Sequence, residues 1–202
     1  MRVLHSRKMV LGVAAAVLLW AAVPETARSQ AGEVISPLRA LRQAKWVPEG
    51  STHPHQIIYV FMDANCPYCH ALWLALKPYY RTGLQVRDIL VGVISASSPG
   101  KAAAIFDAPD PSAELRRNEN RWGHGPDYGG GIAPVSHPST GDLSEIESNE
   151  ALMQAFGIEG TPGLVFADAR GRVYVVPGVP GKAELGHIVQ AAAVSRGGGQ
   201  MN

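Results

Sequence analysis

The sequence predicts an α/β fold, a central mixed sheet flanked by helices and carrying a helical insertion. Three observations lead there. Two short runs rich in β-branched and aromatic residues, 57–62 (IIYVFM) and 84–94 (LQVRDILVGVI), read as buried strands. The stretch between them, from Pro67 to about Tyr80, is helical in pattern and makes a strand–helix–strand crossover. Near the C-terminal end, Leu164–Ala167 and Val173–Val176 flank the turn-forming DARGR and read as a hairpin.

The remaining elements follow from local signals. Ser36 and Pro37 mark a helix start, with Leu38, Leu41 and Ala44 at helical spacing and Pro48-Glu49-Gly50 closing the segment. Leu72, Leu76 and Tyr79 share one face of the crossover helix, which Pro78 must kink because it cannot donate to the carbonyl of Leu74. Residues 101–106 and 111–120 read as two short helices. Residues 122–141, rich in glycine and proline, read as a loop. A helix is expected over 142–156, capped by Asp142 or Asn149 and closed by Gly157. Residues 182–194 form the last helix, and the tail 196–202 is expected to be disordered. No internal repeat is visible. This order is that of a thioredoxin-like sandwich.

The first 29 residues read as an export signal rather than part of the fold. Arg2, Arg7 and Lys8 precede a fifteen-residue apolar run, 9–23, and Ala27 and Ser29 supply small residues at a cleavage-like site. The run is short for a spanning helix, so an uncleaved anchor is the lesser alternative. Removal of 1–29 takes away four basic residues and one acidic residue and turns the formal charge of +1 into −2. The expected compartment is the periplasm. Hydrophobic residues at 46% and charged residues at 17% exclude global disorder, and the lack of a basic run argues against nucleic-acid binding.

Chemistry concentrates at Cys66-Pro67-Tyr68-Cys69, which follows a buried strand and opens a helix. A cysteine at a helix N-terminus faces unpaired N–H groups and the positive dipole end, which favour its reactive thiolate. Cys69, three residues on, shares its helix face and can close a small disulfide ring. Pro67 suits the first turn and stiffens the dipeptide. Thr161-Pro162 precedes the strand at Leu164, where a proline is tolerated.

Several other readings stay open on residues alone. The pair can be a structural disulfide, half a zinc site with some of the histidines, or, with His70, a C-x-x-C-H haem attachment with Met153 as distal ligand. His70 reads as a part-exposed helix residue that can support the thiolate if protonated. Asp63 reads as a turn or cap residue, or else as a proton acceptor or tuner for the pair. Tyr68 is expected to be exposed and to meet substrate. Trp122, His124 and Tyr128 belong to a solvent loop or line a substrate groove, and Trp73 packs.

Three blocks make the resemblance specific: IIYVFMDANCPYCH (57–70), VRDILVGVISASSPGKAAAIF (86–106) and SNEALMQAFGIEGTPGLVF (148–166). They resemble the DsbC/DsbG thiol:disulfide interchange family, closest to the DsbG side, over a catalytic domain at 57–195. The resemblance implies that Cys66 attacks and Cys69 resolves, that Thr161 and Pro162 (a cis-proline in that family) bind substrate backbone, and that a redox-active Cys66–Cys69 disulfide is needed with no metal or organic cofactor. It implies as partners client proteins with disulfides or oxidised cysteines, and a membrane redox protein that resets the pair. Trp46 and the preceding LRALRQAK resemble the end of that family's linker helix. Residues 30–56 are all that lie between the leader and the first strand, too few for the family's dimerisation domain. The resemblance implies a reductase or isomerase, and isomerase activity in that family depends on the dimer; a monomer is expected here, acting as a reductase, an oxidase or a partner-specific enzyme. The rival is a chaperone-like binding module of the same fold without redox turnover.

Overall fold

The computed structural model describes residues 36–125, 127 and 129–193; the leader and the tail lie outside this range. Five strands form one sheet in the order β1-β3-β2-β4-β5. They are β1 (Val47–Gly50), β2 (Gln56–Asp63), β3 (Leu84–Val91), β4 (Gly163–Ala167) and β5 (Val173–Pro177). The β2–β3 pair is parallel, with Val60 opposite Asp88, and the other pairs are antiparallel. Among the described residues six α-helices flank the sheet: α1 (Pro37–Gln43), α2 (Pro67–Leu76), α3 (Ser98–Phe106), α4 (Pro111–Asn120), α5 (Thr140–Ala155) and α6 (Lys182–Ala191).

The strand period of two divides the core. Val60, Met62, Val86 and Leu90 face Leu72 and Leu76 of α2, Leu115 of α4 and Ile188 of α6. Tyr59, Phe61, Ile89 and Val91 face the other way, onto Leu41 of α1 and Met153 of α5. Both faces of β2 are covered, so the strand reads as a continuous apolar run.

Three expectations need correction. Pro48-Glu49-Gly50 does not merely close α1: it lies in β1, antiparallel to β3 with Val47 opposite Asp88. A proline is tolerated there because β1 is an edge strand. The crossover helix is not kinked at Pro78. Instead α2 gives way to a 3-10 segment, Lys77–Thr82, where the tighter winding dispenses with the missing bond, and Gly83 closes it at φ 96°. The cap of α5 is Ser139, whose hydroxyl accepts from Asp142 N–H at 3.1 Å. Asn149 lies inside that helix, and its amide donates to the carbonyls of Lys45 and Leu90, both at 2.9 Å.

Asn149 thus joins α5 to the end of β3 and to the segment after α1. Asn149→Ala is expected to lower stability by about 1–3 kcal/mol, since two carbonyls lose their donor in a buried place. The urea midpoint of folded protein measures this; an unchanged midpoint contradicts the assignment.

Candidate functional site

The site forms where β2 ends. Cys66 is the N-cap of α2, with extended backbone at φ −83° and ψ 117°, and its sulfur accepts from Cys69 N–H at 3.4 Å. Pro67 occupies the first turn, where a missing N–H costs nothing. Both cysteines are free thiols in the structure and almost wholly buried. Tyr68 between them is 67% exposed.

The Thr161–Pro162 peptide bond is cis, and this loop covers Cys66. Cys66 Sγ donates to the Thr161 carbonyl at 3.3 Å, and the Pro162 carbonyl accepts from Gly178 N–H at 2.8 Å. Thr161 Oγ1 is buried and makes no hydrogen bond. The structure therefore brings Cys66, Cys69, Thr161 and Pro162 together.

The two thiols have opposite environments. Hydrogen bonding from Cys69 is the largest influence on Cys66. With the N–H groups of Cys69 and Tyr68, it outweighs burial and brings the Cys66 thiol from 9.0 down to about 6. Burial pushes the Cys69 thiol far above the ordinary thiol range, and the neighbouring Cys66 adds to the effect. One sulfur is a ready nucleophile at neutral pH and the other holds its proton.

Asp63 holds the turn together. Its fully buried carboxylate accepts from Asn65 N–H at 2.8 Å, Val93 N–H at 2.8 Å, Ile94 N–H at 2.9 Å and Ser98 Oγ at 2.8 Å. These bonds occupy both oxygens of the carboxylate. Asn65 extends the network: its amide nitrogen donates to Ser95, Ser97 and Ser98, and its oxygen accepts from Lys101 Nζ at 2.6 Å. Lys101 is completely buried and also donates to Asp127 at 2.6 Å and the Gly130 carbonyl at 2.7 Å. Asp127 further accepts from Ser97. Burial opposes ionisation of Asp127, but Lys101 and Ser97 prevail and hold its carboxyl below the usual range.

His70 is less open than its position suggests. Its Nδ1 lies 2.8 Å from the buried Glu119, and its ring stacks on Trp122 at 4.7 Å and Trp73 at 6.1 Å. Burial raises the Glu119 carboxyl, and His70 and Asn118 partly offset it. Met153, the distal ligand a haem reading would need, lies in the core on the other face of the sheet from Cys66 and Cys69. His124 is exposed, Trp122 is the loop aromatic that reaches the site through His70, and Tyr128 lies outside the described residues. Among the described residues no three His, Cys, Asp or Glu side chains gather as a metal cluster. Glu119 and Lys101 were not signalled by the sequence, because their partners lie far along the chain.

This mixed sheet with a cysteine pair at a helix N-terminus opposite a cis-proline defines a thioredoxin-like protein. The chain belongs to the thioredoxin-like domain family, which matches residues 47–193. Within that class its relatives are thiol:disulfide interchange proteins. DsbG of Pseudomonas aeruginosa is 28% identical over 150 residues, 74% of this chain and 57% of the relative. DsbG of Escherichia coli is 31% identical over 153 residues, 74% of this chain and 58% of the relative. The chain therefore spans less than two thirds of the length of these relatives. Among solved structures, Proteus mirabilis ScsC in a compact conformation aligns with TM-score 0.60 at 21% identity, covering 77% of this chain and 76% of that one. A disulfide interchange protein from Neisseria gonorrhoeae aligns at 0.53 and 23% identity, covering 72% and 94%. These two show the likeness of fold.

Alkylation of reduced protein by iodoacetamide should follow one thiolate with a midpoint near pH 6, reactive above it and silent below it. Cys66→Ser should remove that transition. A midpoint close to 9, the ordinary thiol value, contradicts the assignment. Asp63→Ala should cost about 3 kcal/mol or more, because four donors lose one buried acceptor. Urea unfolding reads this, and a loss below about 1 kcal/mol contradicts it.

Proposed function

We propose that this protein is an exported thiol:disulfide oxidoreductase acting on protein disulfides or sulfenic acids. The observation that carries the reading is the contrast at the redox turn: Cys66 ionises near pH 6 while its partner three residues on keeps its proton. The Cys66 thiolate attacks a client sulfur and forms a mixed disulfide. From a disulfide, the second client sulfur leaves as a thiolate; from a sulfenic acid, the oxygen leaves as water after taking up a proton. Cys69 then loses its proton, bonds to Cys66 and releases the client thiol, so two electrons pass to the client. Run backwards, the same steps oxidise client thiols.

The Thr161–Pro162 loop supports client binding, since it lies against Cys66, and exposed Tyr68 offers an aromatic contact beside it. The chain works as a monomer in the periplasm, delivered by a leader at residues 1–29. A membrane-bound dithiol protein resets the pair. No helix among the described residues is long and apolar enough to cross a membrane.

The test is turnover of a disulfide-containing protein such as insulin by signal-free protein. Cys66→Ser should lose about 100-fold or more, and Cys69→Ser should accumulate the mixed disulfide. If Cys66→Ser protects and binds clients as the parent does, and the parent shows no exchange, the chaperone-like reading replaces this one.

A further inference from the structure

The sheet face turned away from the cysteine pair carries a pocket of about 120 Å³. It lies beside the start of β2, at Ile57 and Tyr59, whereas Cys66 follows the end of that strand. Ile57 and Asp63 stand about 20 Å apart along the strand. Tyr59 belongs to the core layer under α1 and α5, and Cys66 and Cys69 belong to the opposite layer. The pocket is therefore no part of the redox site.

Its wall is mixed. Leu38, Ile57, Ala167 and Ala193 make it apolar on most sides, and Arg42 and Arg87 both reach it. Arg87 stands opposite Tyr59 in the β2–β3 register. Its Nη1 donates to Tyr59 Oη at 2.7 Å and its Nε to Gln85 Oε1 at 3.0 Å. Its guanidinium carbon lies 4.4 Å from the centre of the Trp46 ring. These contacts hold the group in place while using two of its five N–H donors. Arg42 Nε donates to the Leu38 carbonyl at 3.2 Å, and its terminal nitrogens carry the rest of its donors. Among the described residues no carboxylate pairs with either arginine. Two cations thus line one pocket without a counter-charge, and a bound anion would relieve their repulsion.

We propose that this pocket binds a small apolar monocarboxylate, with its carboxylate on Arg42 and Arg87 and its tail against Leu38, Ile57, Ala167 and Ala193. A guanidinium fork matches the two oxygens of a carboxylate. A mostly apolar wall with a few placed polar groups is the usual make-up of a small-ligand pocket. The volume limits the tail: a cavity of about 150 Å³ holds a benzene molecule, so a single ring or a short chain is the size that fits. Binding here is separate from thiol exchange and does not depend on it.

A proton–nitrogen NMR titration of the protein with sodium benzoate tests this. The amide signals of Ile57, Ala167 and Ala193 should shift and saturate together, with a dissociation constant of about 1 mM or tighter. Benzamide has the ring without the charge, and sulfate has charge without the ring. Each should bind about 10-fold more weakly than benzoate, or not at all. Arg42→Gln changes an exposed helix position and should weaken benzoate about 10-fold. Ala193→Leu should fill the apolar side and abolish the shifts, and Cys66→Ser should leave them intact. The absence of a saturable shift at these residues overturns the proposal, and so does benzamide or sulfate binding as tightly as benzoate. An affinity unchanged by Arg42→Gln also overturns it, whether or not Ala193→Leu folds. Shifts that vanish in Cys66→Ser would place the ligand at the redox turn and overturn it too.

Discussion

The site depends on one buried carboxylate. Asp63 ends β2, and its four hydrogen bonds fasten the chain after β2, the chain after β3 and the start of α3 to a single point. Its own carbonyl accepts from Cys66 N–H at 3.0 Å, which sets the entry into α2. In a low-dielectric interior such a fully satisfied network is worth more than its separate bonds, and a half-satisfied one is a liability. The placement of Cys66 as N-cap, on which its thiolate depends, is inherited from this junction. Asn65, the next residue, then carries the network to the serines of the β3–α3 connection.

The helical insertion is fastened to that junction by polar groups buried in its own interior. Lys101 reaches Asn65, Asp127 and Gly130 together. Asn118 donates to the Ala64 carbonyl at 2.9 Å, one residue from Asp63. The glycines of the loop are required by these contacts: a Cβ on Gly130 would strike the Asn118 amide, and one on Gly129 the Asn65 side chain. Removing one partner of the buried Lys101 group would leave a charge with no water, which costs several kcal/mol. The insertion therefore acts as a wall of the redox site, and Trp122 stacked on His70 is where it meets α2.

Much of this was legible in the sequence. Apolar runs located β2 and β3, and the CPYC spacing located the start of α2, while the loop at Thr161-Pro162 came only from the family resemblance. What was missed shares one cause, the long-range pairing of polar groups. β1 has only four residues, including a proline and a glycine, and its buried Glu49 makes sense only once Trp73 and Arg116 arrive from α2 and α4. His70 reads as a part-exposed helix residue, and its partners Glu119 and Trp122 come from far along the chain. Lys101, in an alanine-rich run, has no local sign of being completely buried. Periodicity reports which face is apolar; it does not report which charges a distant segment will neutralise.

The N-cap position of Cys66 also links redox state to folding. In the folded chain the thiolate forms near pH 6, against 9.0 for an ordinary thiol. Between these values folding of the reduced chain releases a proton, so its stability rises with pH, and that gain is lost as the pH falls through 6. At pH 7 the gain is about 1 kcal/mol. The oxidised chain has no thiol to ionise and gains nothing. Neutral surroundings therefore favour the reduced fold over the oxidised one, which makes a Cys66–Cys69 disulfide readier to accept electrons, and acidification narrows that preference.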